Sequence, residues 1–421
     1  MSRISLQVSV AAALFLVACG AACAQGKIRW ILPNFSDRLQ VRISNPGSGA
    51  VHTLAVIDVA RARAMAPGFP GTLAIVADQS ARTRYLPSQV DAGNDGEPEG
   101  AFVIPVNLAA RSQQTLEIYY SNTLKDQLPW PKRVDATHTY GYNHATAAIE
   151  SELMGYRTYG GFYLDVQAHG KGKSGLFNSL IGYTSISSPA MEGEDVLHVG
   201  DTLGLGGIFL RSDGSVYRPP VNTPDYAHQA AKPDEPTYRV LAEGPLRALV
   251  EEDLPHWKIG GDDVALRAVY EMRESEETVR CHLWITPLLL ARSYEVGAGI
   301  RSLPQMHTVE RSSVLAVDGV QDPSIGRIGL GLAFDPDVAH RAGRLTTPEG
   351  DNEIVLSNDS LRKGRGVRFT YKVAAAWSGS GWTNPAQHVA EVLQQGEAQP
   401  VVTLLQHEST SHPERLTAEP E

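Results

Sequence analysis

Tyr156-Arg-Thr-Tyr-Gly-Gly-Phe-Tyr-Leu-Asp-Val-Gln-Ala-His169 is the stretch from which the fold is read. Side chains alternate faces along a strand. Tyr156, Thr158, Phe162, Leu164, Val166 and Ala168 therefore point one way, and Arg157, Tyr159, Tyr163, Asp165, Gln167 and His169 the other. The first face reads as core. The second carries a cation, two phenols, a carboxylate, an amide and an imidazole, a richer set than contact with water requires. An antiparallel sheet with one wet face would explain the alternation by itself, so any functional reading rests on what surrounds this strand between Tyr142 and Leu210.

Upstream, residues 28 to about 125 read as short strands: Leu39–Ile43, Ala55–Val59, Leu73–Val76, Ala101–Ile104 and Leu116–Tyr120. Turn chemistry separates them at Asn45-Pro46-Gly47, Pro67-Gly68 and Asp91 to Gly96. A small β-sandwich over 27–125 follows. The Asp91 loop lacks the acidic twelfth position of a calcium loop and is read as a surface turn. After a linker with Pro129-Trp130-Pro131, a larger β assembly over 132–406 follows. In it Val264, Leu266, Ala268, Tyr270 and Met272 alternate, Arg273 to Glu277 turn the chain as a solvated tip, and Val279–Ile285 returns. One helix is expected, from Pro385 to about Gln395, with Asn384 as its cap. The fold class is all-β, two antiparallel sandwiches with few helices and a polar tail over 407–421.

The beginning of the chain has the layout of a secretory signal peptide over 1–24: Arg3, the apolar run Val8–Ala18, then Cys19 to Gln25. Cleavage after Ala24 competes with a lipid anchor at Cys19, since Leu16-Val-Ala-Cys19 resembles a lipobox. Either places the mature protein in the periplasm, on the outer membrane or outside the cell. No later segment is long and apolar enough to cross a bilayer. Of three cysteines only Cys281 lies beyond this region, which excludes an internal disulfide and a cysteine-ligated metal site and suggests a buried core thiol. With 421 residues, two domains are expected. A net charge of −10 and a pI near 5.7 argue against a nucleic-acid partner. They leave acidic sugars open, since local cation clusters bind carboxylates in acidic proteins.

Several motif lookalikes fail. Gly172-Lys-Ser174 lacks the first glycine of a phosphate loop, and Gly204-Leu-Gly-Gly207 lacks a strand–helix unit around it. His407-Glu408 has its next histidine at His412, one residue too far for zinc. No motif implies a cofactor, and a divalent cation is left open.

The succession Ile149-Glu-Ser-Glu152, Tyr156-Arg-Thr-Tyr-Gly160, Gly193 to Gly207, Glu243-Gly-Pro-Leu-Arg247 and Ala375 to Trp382 resembles a secreted bacterial family, a domain of unknown function found in loci that degrade pectin, ulvan and other uronate polysaccharides. The resemblance spans nearly the whole mature chain. It implies the galactose-mutarotase-like supersandwich shared with polysaccharide lyases, and an acidic oligo- or polysaccharide as partner. The family's Trp-Glu-Asn-Asp-Arg is Ile149-Glu-Ser-Glu-Leu153 here.

Uronate β-elimination needs a neutraliser for the substrate carboxylate, a base and an acid. Arg157 fits the first role. His144, Tyr159, His169 and His198 are the candidates for the others, with Tyr142 and Tyr163 lining the sugar. The expected function is thus a lyase or dehydratase. Two alternatives stand beside it. Glu150 and Glu152, about 7 Å apart on a strand, suit a hydrolase or epimerase or orient Arg157. Exposed Trp257, Trp377 and Trp382 suit a sugar-binding protein without catalysis.

Overall fold

The computed structural model describes residues 30–78, 84–92, 100–124, 130–139, 146–158, 161–176, 193–220, 235–395 and 399–410. Every strand pairing among them is antiparallel, and the all-β expectation holds. The first sandwich packs a five-stranded sheet on a three-stranded one. Alternate residues Leu39, Val41 and Ile43 of Asp37–Ser44 meet Ile57, Phe102 and Ile104 in its core. Strand positions run wider than read from sequence, and one was misread at its end. Val51–Asp58 stops where a helix Val59–Met65 begins, because Asp58 caps it by accepting the Arg61 N–H at 2.7 Å and Ala-Arg repeats favour helix.

The larger assembly sets an eight-stranded sheet against two five-stranded sheets over one continuous core. One five-stranded sheet runs from Val134 to Asp195 and the other from Leu205 to Leu361. A bridge between Leu164 and Leu205, each at the start of a strand, ties the two sheets together. The failed dinucleotide motif has its explanation here: a Cβ on Gly204 would lie 3.1 Å from the Leu164 carbonyl, so glycine lets the two strands approach. The hairpin Asp262–Arg273 and Thr278–Leu289 alternates as read, with Cys281 buried in the core. Its tip is less solvated than expected, since Arg273 is buried and donates to Thr53 Oγ1 at 3.0 Å. The helix Pro385–Gln394 covers the outer side of the eight-stranded sheet through Ala386, Val389, Ala390 and Leu393.

Two expectations about organisation need correction. The strand Val401–Ser409 belongs to the first sandwich, where it pairs with Asp37–Ser44 from Asp37 opposite Ser409 to Ser44 opposite Val401. The second assembly therefore ends before 401, and residues 407–409 are strand, not polar tail. Asp91 is not a surface turn either. It is buried and holds Arg247 of the second assembly in an ion pair, with Gln89 accepting from the Leu246 and Arg247 N–H groups at 2.7 and 3.0 Å. No helix of the described residues is long and apolar enough to cross a membrane.

Candidate functional site

The stretch from Tyr156 to His169 is not one strand but a hairpin. Met154–Thr158 and Asp165–His169 run antiparallel with Arg157 opposite Asp165. Gly161 and a left-handed Phe162 (φ 53°) turn the chain between them. Because the register is in phase, the expected division of faces survives the turn: Tyr156, Val166 and Ala168 enter the core, and Arg157, Asp165, Gln167 and His169 share the other side. That side is not wet. Arg157 and Asp165 are each 3% exposed and Gln167 is fully buried.

Arg157 is bound from two directions. Its Nη2 donates to Asp165 Oδ2 and to Asp195 Oδ2, each at 3.0 Å. Both carboxylates open onto a cavity of about 480 Å³ between the first five-stranded sheet with the loop that leaves it and a turn of the eight-stranded sheet, lined also by Tyr163, His198, Gln321 and Asp322. Burial pushes Asp165 well above the usual carboxylate range and the Asp195 charge adds to it, against the pull of Arg157. Tyr163 is likewise pushed above its ordinary value, by burial first and then by the charges of Asp165 and Glu252. Its phenol stays protonated at neutral pH and is a donor, not a base. The His198 ring is exposed at the cavity while its backbone is clamped. Its N–H donates to Gln321 Oε1 at 2.9 Å, and its carbonyl accepts from Gln321 Nε2 at 2.6 Å. Asp322 is held low by the hydroxyl and N–H of Ser324. Three carboxylates thus face this space, and no lysine or arginine lines it among the described residues.

Behind the turn sits Glu252, fully buried. Tyr270 Oη and Thr158 Oγ1 donate to its Oε2 at 2.9 and 3.1 Å, and Tyr238 Oη and the Phe162 N–H to its Oε1 at 3.2 and 3.4 Å. Burial nevertheless pushes it up to about 7. It fixes both ends of the turn that presents Tyr163.

The other expected site residues fall elsewhere. Tyr142, His144 and Tyr159 lie outside the described residues. His169 sits four residues beyond Asp165 on its strand, about 13 Å away, and its Nε2 bonds the Gly175 carbonyl at 2.8 Å. It therefore does not join Arg157 and His198 in one cleft. Glu150 is buried on the same sheet, opposite Gly155. Glu152 is at the hairpin end, paired with Arg133 and accepting from Ser275 N–H and Oγ at 3.1 Å. It anchors a turn and does not pair with Glu150. Trp257 is 4% exposed within the core, because its strand bulges between Leu254 and Trp257 and turns the indole inward. It is no stacking platform. Of the other two, Trp377 is half-buried and donates to the Ile325 carbonyl at 2.7 Å, and Trp382 stacks on His388 at 3.5 Å. Asp165, read on the polar face but given no role, and Asp195, Gln321 and Asp322 were missed as site residues. Asp195 stands inside the quoted Gly193 stretch, but Gln321 and Asp322 come from a turn far along the chain and carry no local signal.

The family described as "Domain of unknown function (DUF4861)" matches residues 54–399. The chain belongs to this family. The match to DUF4861 takes in both sheets that border the cavity. No curated protein matches. Among solved structures, a protein of glycosyl hydrolase family 38 from Enterococcus faecalis is 9% identical with a TM-score of 0.46, over 89% of this chain and 48% of its own. An α-mannosidase from Enterococcus faecalis V583 is 8% identical with a TM-score of 0.45, over 89% and 47%. A protein described as an aldose 1-epimerase from Klebsiella pneumoniae is 10% identical with a TM-score of 0.30, over 83% and 97%. The chain spans about half the length of the first two.

Proposed function

We propose that this protein is a carbohydrate-active enzyme that binds a neutral saccharide in the cavity beside Asp165 and Asp195 and hydrolyses a glycosidic bond with these two residues. The observation that carries this reading is the sharing of one guanidinium nitrogen by two carboxylates at a cavity wall. Since each oxygen lies 3.0 Å from that nitrogen, the two are within about 6 Å of each other. That is short of the ~6.5–9.5 Å at which an inverting hydrolase seats water, and compatible with the ~5–5.5 Å of a retaining one. Asp165, held protonated by burial, is the proton donor to the leaving oxygen. Asp195, the more open of the pair, attacks the anomeric carbon. Water then releases the sugar, with Asp165 taking its proton. Carboxylates, an amide and a phenol also suit hydroxyl-rich ligands, and the volume lies within the ~300–1,000 Å³ of small-molecule sites.

Elimination on an acidic sugar, expected from sequence, draws no support from Arg157. A neutraliser must be free for the substrate, whereas this guanidinium already donates to Asp165 and balances the Asp195 carboxylate, in a wall with a third acid nearby. Incubation with a panel of neutral and uronate oligosaccharides, followed by mass spectrometry and ultraviolet absorbance, separates the readings. Hydrolysis adds one water, and Asp165→Asn and Asp195→Asn each lower turnover about 10²-fold or more. A conjugated unsaturated uronate product, or full turnover by both variants, overturns the proposal.

A further inference from the structure

Tyr163 lines two cavities. Beyond it from the Asp165 space lies a second, of about 320 Å³, walled by Gly161, Asp201, Thr202, Val216 and Arg218. The ring is wedged edge-on between two glycines. A Cβ on Gly161 would fall 2.0 Å from its Cε1, and one on Gly204 3.2 Å from its Cδ2. A single loop serves both spaces: Gly200 borders the first and Asp201 the second, with the chain reversing at Gly200 in the left-handed conformation (φ 55°). The two walls differ in chemistry. The first is acidic, with only acceptors beyond the phenol, the imidazole and the Gln321 amide. The second carries Arg218, which pairs with Asp201 and donates to the Thr202 carbonyl at 3.3 Å, so it offers donors as well as acceptors.

We infer that the ligand is an oligosaccharide that straddles Tyr163, one sugar unit beside Asp165 and Asp195 and the next beside Arg218 and Asp201. The inference rests on the saccharide reading above. Each cavity taken alone is already of small-molecule size. The Tyr163 phenol, protonated and fixed between them, is a donor positioned where two adjoining units meet. Arg218, with a planar fork of donors, suits the ring and hydroxyl oxygens of a second unit.

Binding to the intact protein of a length series from one to four units, in gluco-, manno- and galacto-oligosaccharides, tests this by calorimetry. The expected result is a gain in affinity of about tenfold or more from one unit to two. In Arg218→Ala that increment shrinks to about twofold or less. Val216→Phe, which fills the second cavity without removing a charge, does the same and guards against a folding defect in the first variant. Equal affinity for one unit and two, or an increment unchanged in both folded variants, overturns the two-unit inference and leaves the saccharide reading standing. No binding by any member of the series overturns that reading, and the inference with it.

Discussion

At the scale of single residues, buried polar groups set the chemistry. Glu252 titrates near 7 in the folded chain against an ordinary 4.5. The native state therefore holds a proton that the unfolded state releases. Stability contributed by that proton is intact below pH 4.5 and falls as pH rises towards 7, by roughly 3 kcal/mol over the window. Denaturant unfolding across pH 4–8 should show this decline, and Glu252→Gln should flatten it. A decline of the same size in the variant would assign it to other groups, Asp165 first among them. Gln167 makes the opposite case. Its amide is fully buried with neither end hydrogen-bonded. Leaving polar atoms unpaired costs about 1–3 kcal/mol, so Gln167→Leu should raise the midpoint of unfolding. If turnover falls in the same variant, the amide is kept for what it does beside Asp195, its partner in register on the next strand. If the midpoint drops instead, this account of Gln167 is wrong.

Among elements, the decisive ones are the hairpin at Phe162 and the loop at Gly200. An alanine at 200 must adopt φ 55°, at about 1–2 kcal/mol, and its Cβ would lie 2.1 Å from the Glu349 carboxylate. Gly200→Ala should lose about that much stability while weakening binding on both sides of Tyr163. Binding unchanged would mean that the loop shapes neither cavity. These elements also show what was legible beforehand. Alternation identified the strands and the two faces around Arg157, because burial imposes a period of two wherever one side is core. The hairpin within the quoted stretch was hidden, since Gly160-Gly161 interrupts the pattern by a number of residues that keeps its parity. The face itself was legible but its use was not. A list of Arg, Tyr and His on one side does not reveal that Arg157 is spent on Asp165 and Asp195. Trp257 looked like a platform because a bulge, which reverses facing, has no signature in single residues.

For the molecule as a whole, a charged contact joins the two parts. Burial would push Glu271 up, but Arg273, Arg247 and Arg280 outweigh it and hold it down to about 2. Its stabilising share is complete above pH 4.5 and is lost as pH falls towards 2. Arg247→Ala would strand Asp91 in the interior and remove one of the three arginines that hold Glu271, and should cost about 3–5 kcal/mol. Differential scanning calorimetry of that variant should show the first sandwich melting apart from the second, whereas a single unshifted transition would mean that the pair carries no coupling. The pairing of Val401–Ser409 with Asp37–Ser44 has a consequence for synthesis. The first sheet takes its edge from a strand synthesised long after the rest of that sheet, so until Val401–Ser409 emerges the strand Asp37–Ser44 has an open flank able to recruit strands from other chains. Proteins of this build should therefore depend on holding chaperones until that strand is made, and any copy cut short before Val401 should aggregate through the strand Asp37–Ser44 although its proposed site is encoded in full.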